Sequence, residues 1–336
     1  MEKKSNIFVA HTEYHVLISV SIILSKYKEY NNYIYYSKGR IKEGIDSTKD
    51  CISFISLDSR YGTKETFDEM ISHNPSEFFF FQEWGSDNLY LCYWMKRHGV
   101  SISLVQDGMK PYAQWHKSHK LLSAIKDTLV TYKDLFRKQS FVWRLIPMFG
   151  YDYGRRYYID KIWLSSPKAY QNKYNKKILE LPSFSDEIID ELNHIFSFNP
   201  IGIDSDAVLI IGQCMIDEGV DEDVRIINDI ACEANKFKKV YFKPHPLTKD
   251  NHLKALKAIP YLTFVEGHFP VELLILRMGD TAIISGYCTS MLTYNGRSRY
   301  YWTYKIYDRN RLTSQFELIN PTMHIKEIRS ISEIEF

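Results

Sequence analysis

Short apolar runs alternate with amphipathic stretches along nearly the whole chain. Asn6–Ala10 reads as a strand, and the apolar periodicity from about Tyr14 to Tyr27 predicts a helix after it. Tyr33–Tyr36, Ile52–Leu57 and Glu77–Gln82 read as strands, with a helix at Thr63–Ser72. Asp87 is placed to cap a helix that runs to Arg97 and ends at Gly99. Ser101–Val105 and Lys161–Ser165 complete this first run of strands. A helix at Asp186–Phe196 and a polar stretch, Asn199–Asp206, mark a boundary. Beyond it come strands at Ala207–Ile211, Lys239–Phe242, Leu262–Val265 and Thr281–Ser285. Helices at Asp221–Asn235, His252–Ala258 and Pro270–Met278 separate them.

Strands spaced by helices of this length form right-handed βαβ units and parallel sheets. The expected fold is therefore α/β, with two doubly wound Rossmann-like domains facing a central cleft. Residues 1–200 form the first domain, with a basic, aromatic helical insertion at about 116–158. Residues 201–310 form the second, and 311–336 are expected to pack back on the first.

The composition supports packed cores. Of 336 residues, 45% are hydrophobic, which excludes wholesale disorder. Basic and acidic residues nearly balance, 43 against 41, which argues against a polycation that coats nucleic acid. Five scattered cysteines without a CxxC pair argue against a disulfide framework and a thiolate zinc site. With no apolar run of about 18 residues, a cytoplasmic protein is expected, peripheral at most to the inner face of the cell membrane. The stretch His116–Tyr158 carries the charge and the aromatics for a contact with anionic membrane.

In doubly wound sheets ligands bind beyond the carboxyl ends of strands. Polar and titratable groups recur at those positions here. The first strand runs into His11-Thr12-Glu13-Tyr14-His15, and Ser101–Val105 into Gln106-Asp107-Gly108. In the second half the strands run into Gly212-Gln213, Lys243-Pro244-His245-Pro246 and Ser285-Gly286-Tyr287-Cys288-Thr289-Ser290. Two prolines hold His245 on a rigid turn, where an imidazole suits a phosphate leaving group. Thr289 and Ser290 precede an apolar run, an N-cap pattern that is also an anion site. Asp107 is placed to act as general base, and Gly108 allows close approach of a ligand. His11 and His15 with Glu13 do not have the zincin spacing. GxGxxG, P-loop and GxSxG signatures are missing, so the usual NAD, nucleoside triphosphate and serine-hydrolase readings lose their support.

This set of motifs resembles the bacterial sialyltransferases of the GT-B type, in particular glycosyltransferase family 52 and the related capsule polysialyltransferases. Their acidic-acidic-Gly motif appears as Gln106-Asp107-Gly108, their His-Pro motif as Lys243-Pro244-His245-Pro246, and their hydroxyl pair as Thr289-Ser290. Thr12-Glu13-Tyr14-His15 resembles the early Thr-Pro-x-His segment, with Glu13 in place of Pro. Leu209–Gln213 and Pro270–Leu274 resemble the second-domain strand and helix start. The acidic pair is Gln-Asp, so only Asp107 carries over.

The resemblance implies an inverting, metal-independent transfer of sialic acid from CMP-sialic acid, without a cofactor, to a hydroxyl of a capsule or lipooligosaccharide glycan. Asp107 is then the base, and His245 the general acid or phosphate ligand. Gly212, Gln213, Lys243, Pro246, Glu272, Ser285, Thr289 and Ser290 bind the donor, with Glu272 on the ribose. Thr12, His15, Gln106 and Gly108 line the acceptor side, and Asp217 and Glu218 are rivals for the base. The other readings are transfer of Kdo or pseudaminic acid from CMP, a polyol-phosphate transferase, and a non-catalytic member of an assembly complex that binds nucleotide or glycan.

Overall fold

The computed structural model describes residues 3–83, 85–115, 153–171, 174–199, 202–213, 220–307 and 316–336. The chain divides into two compact units, Met1–Ser197 with Gln315–Pro321, and Phe198–Ser314 with Thr322–Phe336. The expected basic insertion, up to residue 152, lies outside the described residues, as do Asp217 and Glu218.

The first unit opens with β1 (Ser5–Ala10), α1 (Glu13–Lys26), β2 (Asn31–Ser37) and β3 (Ile52–Leu57). It continues through α2 (Lys64–Ser72), β4 (Pro75–Phe80), α3 (Ser86–Arg97) and β5 (Ser101–Val105). The short β6 (Ala113–Trp115), β7 (Lys161–Leu164), β8 (Lys177–Glu180) and α4 (Asp186–Ile195) follow. Seven strands make one parallel sheet in the order β3-β2-β1-β4-β5-β7-β8. All six residues of β1 are buried. Such a strand needs cover on both faces, which is why Ile7–Ala10 reads as an apolar run rather than alternating. Ile7, Val9, Phe78, Phe80, Ile102 and Leu104 pack into one face with Leu89, Leu91 and Met95 of α3.

The second unit is built the same way. β9 (Val208–Ile211), α5 (Val220–Ala234), β10 (Val240–Lys243), α6 (Asp250–Lys257) and β11 (Leu262–Phe264) lead to α7 (Val271–Arg277), β12 (Ala282–Ser285) and β13 (Arg299–Trp302). Ile226, Ile227, Ile230 and Ala234 form the stripe of α5 that packs on Val208, Ile210, Val240 and Phe242. The end of the chain does not stay with one unit. β14 (Phe316–Leu318) pairs antiparallel with β6 in the first. β15 (Ile325–Glu327) then joins the second sheet beside β13. That six-stranded parallel sheet has the order β11-β10-β9-β12-β13-β15. The C-terminal stretch thus differs from the expected single segment against the first domain, because the edge of β13 offers an unpaired ladder that β15 completes.

In each sheet the order reverses beside the first strand, between β1 and β4 and between β9 and β12. These are the switch points where α/β folds hold ligands. Among the described residues no helix is long and apolar enough to cross a membrane.

Candidate active site

In the first unit the sequence-predicted residues gather at the carboxyl ends of β1 and β5. Thr12 has extended backbone and caps α1, its side chain accepting from the His15 N–H at 3.2 Å. The cap fixes the first turn of α1 so that His15 lies against the turn after β5. His15 is fully buried, stacked on Phe81 with ring centroids 4.1 Å apart. Its Nδ1 accepts the backbone N–H of His11 at 3.1 Å. A ring nitrogen that accepts carries no proton, so the neutral ring keeps its proton on Nε2. Nε2 lies 3.2 Å from Oδ1 of Asp107, whose side chain is 23% exposed.

Burial pushes the Asp107 carboxyl up, but contacts with His15 and Gln82 and the charge of His11 outweigh it and hold it below its ordinary range. The result is an ionised, partly accessible carboxylate with one oxygen facing a buried imidazole. Gly108 has φ +72°, a left-handed conformation that lets the chain turn directly after Asp107.

Two expected lining residues have other duties. Gln106 is fully buried. Its Oε1 accepts from the Tyr112 hydroxyl, the Ser165 N–H and the Ser165 hydroxyl, and its Nε2 donates to the Gly108 carbonyl. Gln106 therefore builds the turn that carries Asp107 and lines no surface. An amide fits where the family motif has an acid, because the position demands an acceptor and a donor at once. His11 is 5% exposed, with Nδ1 2.6 Å from the Ser37 hydroxyl and Nε2 2.9 Å from the Tyr61 hydroxyl. Burial, with repulsion from His15 and Arg40, lowers its pKa to about 4. His11 thus has both ring nitrogens hydrogen-bonded, and His15 has Nδ1 bonded and Nε2 facing Asp107. Among the described residues no group of three His, Cys, Asp or Glu is arranged to hold a metal ion.

In the second unit Gly212, Gln213, Lys243, His245 and Ser285 gather at the ends of β9, β10 and β12. A Cβ on Gly212 would stand 3.2 Å from the His245 nitrogen, so glycine permits the close approach of these two turns. A Cβ on Gly286 would fall 1.7 Å from Oε1 of Gln213, so the Gln213 amide lies across that glycine. His245 is half-buried, and its Nδ1 accepts the Leu247 N–H at 3.1 Å. Burial lowers its pKa, leaving a neutral ring with its proton on Nε2. It offers a hydrogen bond rather than a charge. Pro246 is exposed, whereas Lys243 is buried, donating to the Gly267 carbonyl at 2.7 Å and standing 4.0 Å from the centre of the Phe269 ring.

Three expectations change here. Thr289 does not cap an α-helix: Thr289–Leu292 is one 3-10 turn, preceded by Cys288, without a side-chain cap. The reason lies just beyond it, at Asn295. Its amide donates to the Ile275 and Met278 carbonyls and its Oδ1 accepts from Arg297 and Ser298 N–H groups, which draws the chain away from helix. Glu272 is only 2% exposed in the first turn of the short α7. Asp87 does not cap α3 either; Gly85 takes that position, and Asp87 accepts the Gly62 N–H at 2.8 Å. Phe81, Gln82, Tyr112 and Ser165 support Asp107 but carry no motif: Phe81, Gln82 and Ser165 follow strands distant in sequence, and Tyr112 acts from a 3-10 turn through Gln106.

The geometry can be set beside known proteins. No curated protein matches the chain by sequence. A 2,6-sialyltransferase of Vibrionaceae Photobacterium sp. JT-ISH-224, solved with CMP and lactose, superposes with a TM-score of 0.54 at 10% identity, over 90% of this chain and 72% of that one. It shares the two-unit α/β fold of the GT-B type. The E. coli ADP-heptose lipopolysaccharide heptosyltransferase II aligns with a TM-score of 0.48 at 8% identity, over 97% and 90% of the two chains. The model of the family described as alpha-2,8-polysialyltransferase (POLYST) matches residues 61–296, a span that holds Asp107, His245, Thr289 and Ser290. The chain belongs to the alpha-2,8-polysialyltransferase family, and with it to the sialyltransferases.

Proposed function

We propose that the protein is an inverting sialyltransferase that takes sialic acid from CMP-sialic acid, needs no metal, and joins it to a hydroxyl of a cell-surface glycan. The observation that carries this reading is Asp107, kept ionised beside a buried His15 at the end of β5. The acceptor hydroxyl loses its proton to Asp107 as its oxygen bonds to C2 of the sugar. The bond from C2 to the phosphate oxygen breaks at the same time, with oxocarbenium character. A base of lowered pKa suffices, because the hydroxyl becomes acidic only as the new bond forms. His15 and Gln82 hold the Asp107 carboxylate, whose side chain stays 23% exposed for the acceptor.

On the donor side, the Nε2–H of His245 hydrogen-bonds the departing phosphate. CMP leaves with one phosphate, less charge than a nucleoside diphosphate carries, which favours release on hydrogen bonds alone. Thr289 and Ser290 supply further donors from their 3-10 turn, Gly212 and Gln213 lie beside the nucleotide, and Glu272 and Ser285 brace the wall behind them. The family match supports sialic acid as the transferred sugar and an α-2,8 linkage as the product.

Calorimetric titration with CMP, CDP, UMP and UDP, with and without EDTA, tests the donor. CMP should bind alone among the four, equally well in EDTA, and the binding should weaken in His245→Ala. Binding of a nucleoside diphosphate in place of CMP would reject the donor. Binding of none would favour the non-catalytic reading.

A further inference from the structure

The second unit buries a second acid–imidazole pair, which the reaction above does not use. Asp223, in the first turn of α5, is 1% exposed, and its Oδ2 lies 2.9 Å from Nε2 of His252, itself 2% exposed, in the first turn of α6. The Tyr307 hydroxyl donates to Oδ1 of Asp223 at 2.6 Å. Oδ1 thereby takes a hydrogen bond, while Oδ2 faces the imidazole across 2.9 Å.

The three side chains come from three segments, each following a strand of the donor side. α5 follows β9 and Gln213, α6 follows β10 and the His245-Pro246 turn, and Tyr307 follows β13. Asp223 and Tyr307 also line a small cavity with Gln213, Ser285, Gly286 and Thr303, at the switch point between β9 and β12. Ser285 is 2% exposed and its hydroxyl has no hydrogen-bond partner among the described residues. The Thr303 N–H and hydroxyl both donate to the Ser285 carbonyl, at 2.9 and 3.3 Å.

Apolar side chains of similar volume often stabilise such a site as well, so a buried acid–imidazole pair is weak grounds for stability alone. What it adds is direction. Asp223 holds the starts of two helices and the chain after β13 at set distances from one another. We propose that Asp223, His252 and Tyr307 form a positioning network that sets the turns carrying Gln213 and His245, and so tunes affinity for the donor nucleotide. The role in donor affinity rests on the donor reading given above; the role in holding the turns does not.

Tyr307→Phe removes the hydrogen bond to Asp223, together with the contact to Thr303, and keeps the ring; His252→Gln supplies a second variant should the first fold poorly. Three quantities are measured on the full chain: thermal midpoint, CMP dissociation constant, and hydrogen exchange at residues 244–249 and in β9 and β12. If the network holds the turns, Tyr307→Phe raises exchange at 244–249 with the strands unchanged. The same substitution weakens CMP binding up to about tenfold, the net worth of one hydrogen bond, and leaves the acceptor KM unaltered. A lower thermal midpoint with wild-type CMP affinity and wild-type exchange at 244–249 would overturn the proposal, reducing the cluster to a structural contact. If the wild-type chain ignores CMP while exchange at 244–249 still responds, the donor reading fails and the positioning network stands.

Discussion

Nε2 of His15 lies 3.2 Å from Oδ1 of Asp107, and the same ring accepts the His11 N–H on its other nitrogen. The backbone at the end of β1 therefore sets the tautomer that meets the carboxylate at the end of β5. Two loops on either side of β4 are joined through one ring, and the orientation of Asp107 depends on both. Asp107→Asn keeps the shape and removes the base. It should lower the transfer rate by about 10²–10⁴-fold with CMP affinity unchanged, measured by initial rates and calorimetry. His15→Asn should lower the rate less and shift the acidic limb of the pH–rate profile toward higher pH, because Asp107 loses the partner that lowers its pKa.

Gln106 tests the turn itself. Gln106→Glu buries a second carboxyl beside Asp107 and removes the donor to the Gly108 carbonyl. Stability should fall by about 1–3 kcal/mol, read from urea unfolding. Activity per folded molecule should fall as well, since this turn carries the base.

Gly286 separates position from stability. The three atoms nearest a methyl there all belong to the end of the Gln213 side chain, which would have to move. Gly286→Ala should keep the thermal midpoint within about 2 °C of wild type and weaken CMP binding severalfold. An unchanged CMP affinity would remove Gln213 from the donor site.

His11 gives the fold a pH dependence. Its pKa falls from 6.5 in the unfolded chain to about 4 in the folded one, so between those values the unfolded chain binds the extra proton. Stability should be full above pH ~6.5 and should fall by about 3 kcal/mol as pH drops through that window toward 4. The same pH series on His11→Asn should show a shallower fall.

Most of the architecture was legible in the sequence, for a physical reason. Ile7–Ala10 of β1, Phe78–Phe80 of β4, β9 and Ala282–Ile284 of β12 are buried and read as apolar runs, so the pattern finds them. β8, β13 and β15 escaped, being short strands toward the sheet edges whose pairing depends on distant partners. The Thr289 expectation failed because capping was inferred from local pattern, while the Asn295 turn decides the backbone there. Asp223 and His252 could have been found. Asp223 precedes Ile226, Ile227 and Ile230 by three, four and seven residues, and His252 precedes Leu256 by four, which puts both on buried helix faces. An ionisable group on an apolar stripe implies a buried partner. Which partner it meets is a matter of tertiary packing, and no spacing carries that.

The central claim is transfer of sialic acid from CMP-sialic acid with Asp107 as the base. Its most direct test is incubation of the purified protein with CMP-sialic acid and an α-2,8-linked oligosialic acid acceptor in EDTA, with the product chain resolved by length and by anomeric configuration. The expected result is acceptor growth by α-linked residues, with inversion at C2, by the wild-type chain and not by Asp107→Asn. Growth that survives in Asp107→Asn at the wild-type rate, or stops in EDTA, would contradict the account.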